Sequence, residues 1–364
     1  MILSPGNYAA RLENYSLEEL IAERNRLICA LQVYECRDPS DQVFCICPSP
    51  DVVYKVSNMY LLEVTRLINE RFNPSTAHNF IIRHPCKDEN QVDAWSTQSI
   101  PFEPKDWRRD MRDELKQALS NIVPNDDCLY AAFICNDTCA SDVENVLFYN
   151  IGAPAFYRLS KNGLCFEGRF DSNPFTFPLG RELGNYYHYA MQNEFSLWRE
   201  KDILSAWKEV PIPTPTRASR PHLFWYALKK AKNSAFCEHP VPKRFGVSIQ
   251  LHIPELAWCN LAILIKPLLD GIISAFHMQN APRDKILFER LSKLTDCTAA
   301  EVEHFLYESK TVVLGKRPVV STYRESVKWN PQDDACVACR VIIDRDEKYR
   351  NWSISGKLFS VQVQ

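Results

Sequence analysis

The sequence predicts an α+β protein, with a helical N-terminal region, residues 1–72, on a mixed body that ends in a sheet-and-helix unit. Three observations carry that expectation. Apolar residues at three- and four-residue spacing dominate the first seventy positions. Beyond Lys105 short apolar runs alternate with helix-like spacing. The chain has 364 residues, of which 46% are hydrophobic and 24% charged, enough to bury a core in two or three domains.

Ser16 and Glu19 give a capping-box signal ahead of Leu17, Leu20, Ile21, Leu27, Ile28 and Leu31, which form one apolar stripe. A second helix is expected to open at Ser49 and Pro50, proline being tolerated in a first turn, and to run to about Phe72. Residues 73–104 hold Pro74, Pro85, Pro101 and Pro104 without a lasting period and read as an irregular connection. His78, His84 and Cys86 fall there and read as loop residues.

Residues 105–216 read as an α/β region. A charged amphipathic helix is expected over 106–122, and strands over 129–135, 146–151, 164–170 and 186–191. The aromatic set Tyr186, Tyr187, His188, Tyr189, Phe195, Trp198 and Trp207 suits a packed sheet core. Base stacking is the other reading, although no Lys or Arg interleaves Tyr186–Tyr189. Pro211, Pro213 and Pro215 mark the expected boundary to residues 217–364.

Beyond that boundary a helix over 223–232 carries Lys229, Lys230 and Lys232, and Lys243 and Arg244 follow. This is the basic patch available for nucleic acid, or else a solvated helix face. A net charge of −2 excludes a global basic field, so any nucleic-acid contact must be local. No apolar run approaches the roughly 20 residues that span a bilayer, and the N-terminus lacks a signal-peptide pattern, so a cytoplasmic protein without membrane contact is expected.

Fourteen cysteines are scattered along the chain and read as reduced, mostly core residues. Cys336 and Cys339 have CxxC spacing, but in a strand-like run positions three apart face opposite ways. Cys135 with Cys139, and Cys45 with Cys47, each lack the second pair of a structural zinc site. No zinc is expected. Ten glycines and the absence of P-loop, dinucleotide, nucleophile-elbow and HExxH motifs leave no competing enzyme class.

Phe245, Val247, Ile249, Leu251 and Ile253 alternate as a half-buried strand, which puts His252 on the other face, toward solvent. The following run from Asn260 to His277 has eight apolar positions at helical spacing, with Lys266, Asp270 and Ser274 four apart on the opposite face. Pro267 implies a helix that starts near Ile265 or a kink at that point. Thr298 and Glu301 cap a later helix. Asp333 and Asp334 precede another strand.

Strand, Asn260, Lys266-Pro267-Leu268-Leu269-Asp270-Gly271, and later Asp333-Asp334-Ala335-Cys336-Val337 together resemble the RusA-type Holliday-junction resolvases. The resemblance covers about residues 243–350. It implies Lys266, Asp270 and Asp334 as catalytic residues and Asp270, Asp333 and Asp334 as Mg²⁺ ligands. Asn260 and Ala262 stand where that family has its two leading aspartates. Read without the resemblance, Lys266 and Asp270 are a surface ion pair and Asp333-Asp334 a turn after Pro331.

The expected function is a DNA- or RNA-associated protein on a RusA-like nuclease scaffold, of the kind found in phage-defence or mobile-element biology, with Mg²⁺-dependent endonuclease activity if the site is active. The alternative is a noncatalytic interaction or assembly subunit that uses the scaffold to dimerise, since resolvases of this type are dimers. A homo-oligomer or protein complex is expected on either reading.

Overall fold

The computed structural model describes residues 11–12, 14–15, 19–20, 22–27, 60–61, 64, 79–85, 90–135, 142–170, 183–216, 220–231, 234–235, 240–308 and 312–364. The fold is α+β, and the chain forms two compact units. One comprises residues 1–81, 96–98 and 173–184. Its described residues include helical turns at 11–12, 19–20, 22–27, 60–61 and 64, with Leu12, Leu20, Leu27 and Val64 buried. Ser16, the proposed cap, and most of the second predicted helix lie outside the described residues, as do Cys45, Cys47, Cys86, Cys139 and His78.

The other unit, residues 82–95, 99–172 and 185–364, holds nearly all of a mixed sheet. The strands are β1 Phe80–Arg83, β2 Gln91–Ser96, β3 Leu129–Cys135, β4 Gly163–Arg169, β5 Asn185–Met191, β6 Trp198–Pro211, β7 Ser234–Ala235 and β8 Phe245–Pro254. After β9 Met278–Gln279, β10 Lys316–Arg317, β11 Val320–Tyr323 and β12 Ser326–Trp329 come β13 Cys336–Asp346 and β14 Ser353–Val363. Ten strands form one sheet in the order β1-β2-β5-β3-β4-β13-β8-β14-β6-β7. β9 and β10 make a small parallel pair, and β11 and β12 a hairpin.

Five helices accompany these strands among the described residues of this unit: α1 Trp107–Ser120, α2 Pro221–Lys230, α3 Leu261–Ala275, α4 Lys285–Thr295 and α5 Ala299–Tyr307. α5 carries the predicted capping box, with Thr298 accepting from the Glu301 amide and Glu301 accepting from the Thr298 amide. α3 starts at Leu261, with the Asn260 side chain as its cap, and contains Pro267 in its interior. Leu268, Ile272, Ile273 and Phe276 are fully buried, and α2 lies so close to α3 that a Cβ on Gly271 would collide with the Pro221 carbonyl.

Four expectations are corrected. Residues 73–104 include β1 and β2, because Asp93 sits inward in β2 and breaks the apolar alternation. Its carboxylate accepts from Tyr186 at 2.6 Å and is bonded to His188 Nδ1 at 2.7 Å. Residues 146–151 are helical rather than extended, with a wide turn at Asn145–Tyr149 closed by Asn150 N–H to the Asn145 carbonyl. A short apolar run does not by itself distinguish the two.

The prolines at 211–215 do not divide domains, since β6 runs to Pro211 paired with β14 in the same sheet as β3, β4 and β13. Nor does His252 face solvent. It is covered by Tyr349 and bonded through Nδ1 to Asp344 and through Nε2 to Ser355, tying β8, β13 and β14 together.

Burial also explains the aromatic set. Tyr187 and Tyr189 are fully buried, with hydroxyls bonded to the Ile100 amide and the Leu147 carbonyl. Glu167 is buried too, and accepts from Tyr130 and from the amides of Ser196, Leu197 and Trp198, which fixes the start of β6. A buried carboxylate is tolerable because those donors replace its water.

Candidate functional site

The sheet topology brings three separate segments to one edge. β3 runs parallel to β4, which is antiparallel to β13. The end of β3 and the start of β13 therefore lie at the same edge. β8 is parallel to β13, so α3, which follows β8, must return along the sheet toward that edge. Asp142 and Glu144 enter from beyond β3, Lys266 and Asp270 from α3, and Asp333 from the turn before β13.

Lys266 is the hub. Its Nζ lies 2.6 Å from Glu144 Oε1 and 2.6 Å from Asp333 Oδ2, 3.4 Å from Asp270 Oδ1 and 3.8 Å from Asp142 Oδ2. Asp142 is held in place by Asn145, whose Nδ2 donates to Oδ2 at 2.6 Å. Asp142, Glu144 and Asp333 each place a carboxylate oxygen within 4.8 Å of the others. A cleft of about 380 Å³ opens beside them, lined by Glu144, Lys266, Asp270, Tyr149, Ile263 and Arg220 among others.

Four carboxylates around one ammonium leave a charge of −3 if all are ionised. Burial shifts Glu144, Asp270 and Asp142. It pushes Glu144 up to about 7 against the pull of Lys266, and Asp270 likewise to about 7. Asp142 is raised by burial and by the neighbouring Asp333. Burial by itself would lower Lys266, but Glu144, Asp270 and Asp333 outweigh it and hold the ammonium charged well above its ordinary range.

Of the residues singled out in the sequence, Lys266, Asp270 and Asp333 come together. Asp334 is exposed and lies outside the three-carboxylate cluster. Asp142 and Glu144 were missed. The one available signal was an acid pair two positions apart shortly after an apolar strand, and it has no fixed spacing to Lys266. In space these two acids bring carboxylates to a motif that carries Asn260 and Ala262 where the resemblance would put aspartates.

The described members of the basic patch have different surroundings. Lys229 is buried, which corrects its placement on a solvated face, and its Nζ has no hydrogen-bond partner among the described residues. Burial lowers its pKa to about 7. Lys230 lies over the Tyr226 ring in one groove, whereas Lys243 and Arg244 line another beside Trp198. Lys232 lies outside the described residues.

Cys336 and Cys339 are both buried in β13, their thiols pushed up by burial. Among the described residues no helix is long and apolar enough to cross a membrane. Compared with protein-family models, curated proteins and solved structures, the chain shows no significant match to any.

Proposed function

We propose that this chain is a nucleic-acid-associated protein on a RusA-like scaffold, and that its acidic centre binds Mg²⁺ and cleaves phosphodiester bonds. The observation that carries the reading is the convergence of Asp142, Glu144 and Asp333 within 4.8 Å beside an open cleft. An all-oxygen, carboxylate-rich donor set suits a hard divalent cation, and the excess negative charge around Lys266 favours one.

Asp142, Glu144 and Asp333 would hold the ion, which when bound supplies charge neutralisation and activation of a water for attack on phosphorus. Lys266, which stands against the carboxylates and also lines the cleft, would be displaced by the ion and free to meet a phosphate oxygen there. Asp270, poised near neutrality by burial, can carry a proton beside it. Asn145 keeps Asp142 oriented.

One observation favours the rival reading of a noncatalytic interaction subunit: Lys266 Nζ already stands 2.6 Å from two of the three acids, in the place of a cation. A single comparison separates the two. Mg²⁺ and Mn²⁺ titrated calorimetrically into wild type and Asp333→Asn, beside cleavage of branched and single-stranded DNA, should show binding and cutting that the substitution removes. Wild-type protein that takes up no divalent ion and cuts neither substrate leaves the rival reading in place.

A further inference from the structure

The cleft beside Lys266 continues along the surface. Ile263 lines it and also lines a smaller groove with Trp258, Asn260 and Trp352. Trp258 in turn lines a third depression, with Tyr157, Lys161, Leu256 and Arg345. Shared residues thus chain three concavities into one path that starts at the acidic centre.

The path is furnished with presented aromatic rings. Trp258 is 57% exposed, yet its indole is fixed, because Nε1 donates to the Tyr157 hydroxyl at 2.9 Å. The Tyr157 and Trp258 rings are 6.1 Å apart. At the other end Tyr149, which lines the cleft, stacks on Phe102 at 4.9 Å with planes 10° apart, and both rings are more than half exposed. An exposed indole costs free energy in water, and nothing in a core requires this one. Held rigid by a hydrogen bond, it loses little entropy on stacking.

Cations lie along the same path. Lys161 and Arg345 are exposed beside Trp258, and the Arg345 guanidinium is anchored by donating to the Lys161 carbonyl at 3.1 Å. Flat faces with charges at their rims match the alternation of base and phosphate in an unpaired strand, whose bases are free to stack. In a duplex the base faces are hidden, and only the charges would contribute.

We propose that the Tyr157–Trp258 face, with Lys161 and Arg345, binds an unpaired nucleic-acid strand and leads it to the acidic centre. This rests on the reading of that centre as a phosphodiesterase site and names its substrate class. Stacking selects single strands, and the cations supply a sequence-independent hold.

The test uses the full chain without divalent metal, and fluorescein-labelled 12-nucleotide oligothymidylate, free or annealed to its complement, followed by anisotropy. Single strand is expected to bind more tightly than duplex. Trp258→Ala should weaken single-strand binding about tenfold or more, with duplex binding and the melting curve unchanged, and Trp258→Phe should restore part of the loss. Lys161→Ala and Arg345→Ala should each flatten the salt dependence by roughly one counterion.

Single-strand binding indifferent to Trp258→Ala, or equal loss on both substrates, overturns the proposal. So does displacement of neither strand from wild type by unlabelled oligothymidylate. Adding Mg²⁺ separates the two ideas. Strand binding that depends on Trp258 without any cleavage removes the phosphodiesterase reading alone, whereas cleavage of duplex untouched by Trp258→Ala removes this inference alone.

Discussion

Replacing Lys266 with Met removes the ammonium that four carboxylates share while keeping much of the side-chain volume. Glu144 has 4% of its side chain exposed, Asp270 14% and Asp333 15%, so water cannot take over the lost partner fully. Breaking a buried pair from one side costs about 3–5 kcal/mol. Protonation caps the loss: Glu144 and Asp270, already raised to about 7, cost about 1.36 kcal/mol per pH unit above that to neutralise, hence about 0.7 kcal/mol each near pH 7.5 and nothing near pH 5.

Glu144 and Asp270 already titrate near 7, above their unfolded values. The native state therefore binds extra protons, and the stability these groups confer is present below their unfolded pKa and lost as pH rises through about 7. In Lys266→Met the folded values rise further, so stability should fall more steeply between about pH 5 and 8 than in wild type. Urea unfolding at the two pH values reads this directly. The expected loss is about 1–2 kcal/mol near pH 7.5 and little near pH 5, with Mg²⁺ at 100 times its Kd stabilising the variant by about 2.7 kcal/mol. A loss equal at both pH values would refute the view that Lys266 neutralises buried carboxylates.

Three further outcomes follow from the packing. Leu268→Ala, in the fully buried face of α3, should cost about 2–5 kcal/mol by chemical denaturation. Lys229→Met should stabilise the protein at neutral pH by on the order of a few kcal/mol, since the folded pKa of Lys229 is lowered to about 7 and its ammonium is buried without a described partner. Wild-type stability should then rise as pH climbs from about 7 to about 10 while the variant's curve stays flatter, which thermal melts across that range would check. Thr298→Ala should lose about 1 kcal/mol by removing the α5 capping box, measurable as a lower melting temperature.

Where local pattern decides structure, the sequence was readable. β3 lies where its apolar run places it, β8 and α3 follow their periods, and Thr298 caps α5 through Glu301. The site was readable only in part. Lys266 and Asp270 share a helix face, and Asp333 sits at the mouth of a strand, so their chemistry shows in short windows. Asp142 and Glu144 meet them solely because β3 and β4 run parallel and β13 antiparallel to both, and no local window contains that fact. Lys229 misled for the opposite reason: beside Lys230 at a helix end it looks solvated, and only tertiary contact shows it buried.

β13 lies between β4 and β8, the one strand that bridges the early and late parts of the sheet. Until it inserts, β4 and β8 expose open edges to any passing strand, and Asp333 is not yet beside Lys266. The acidic centre is thus a product of β13's insertion. A ribosome still translating the region before β13 carries a chain in which β5, β3 and β4 can pair but β8 has no strand beside it and no cluster is assembled, so whatever chemistry the centre performs waits for β13.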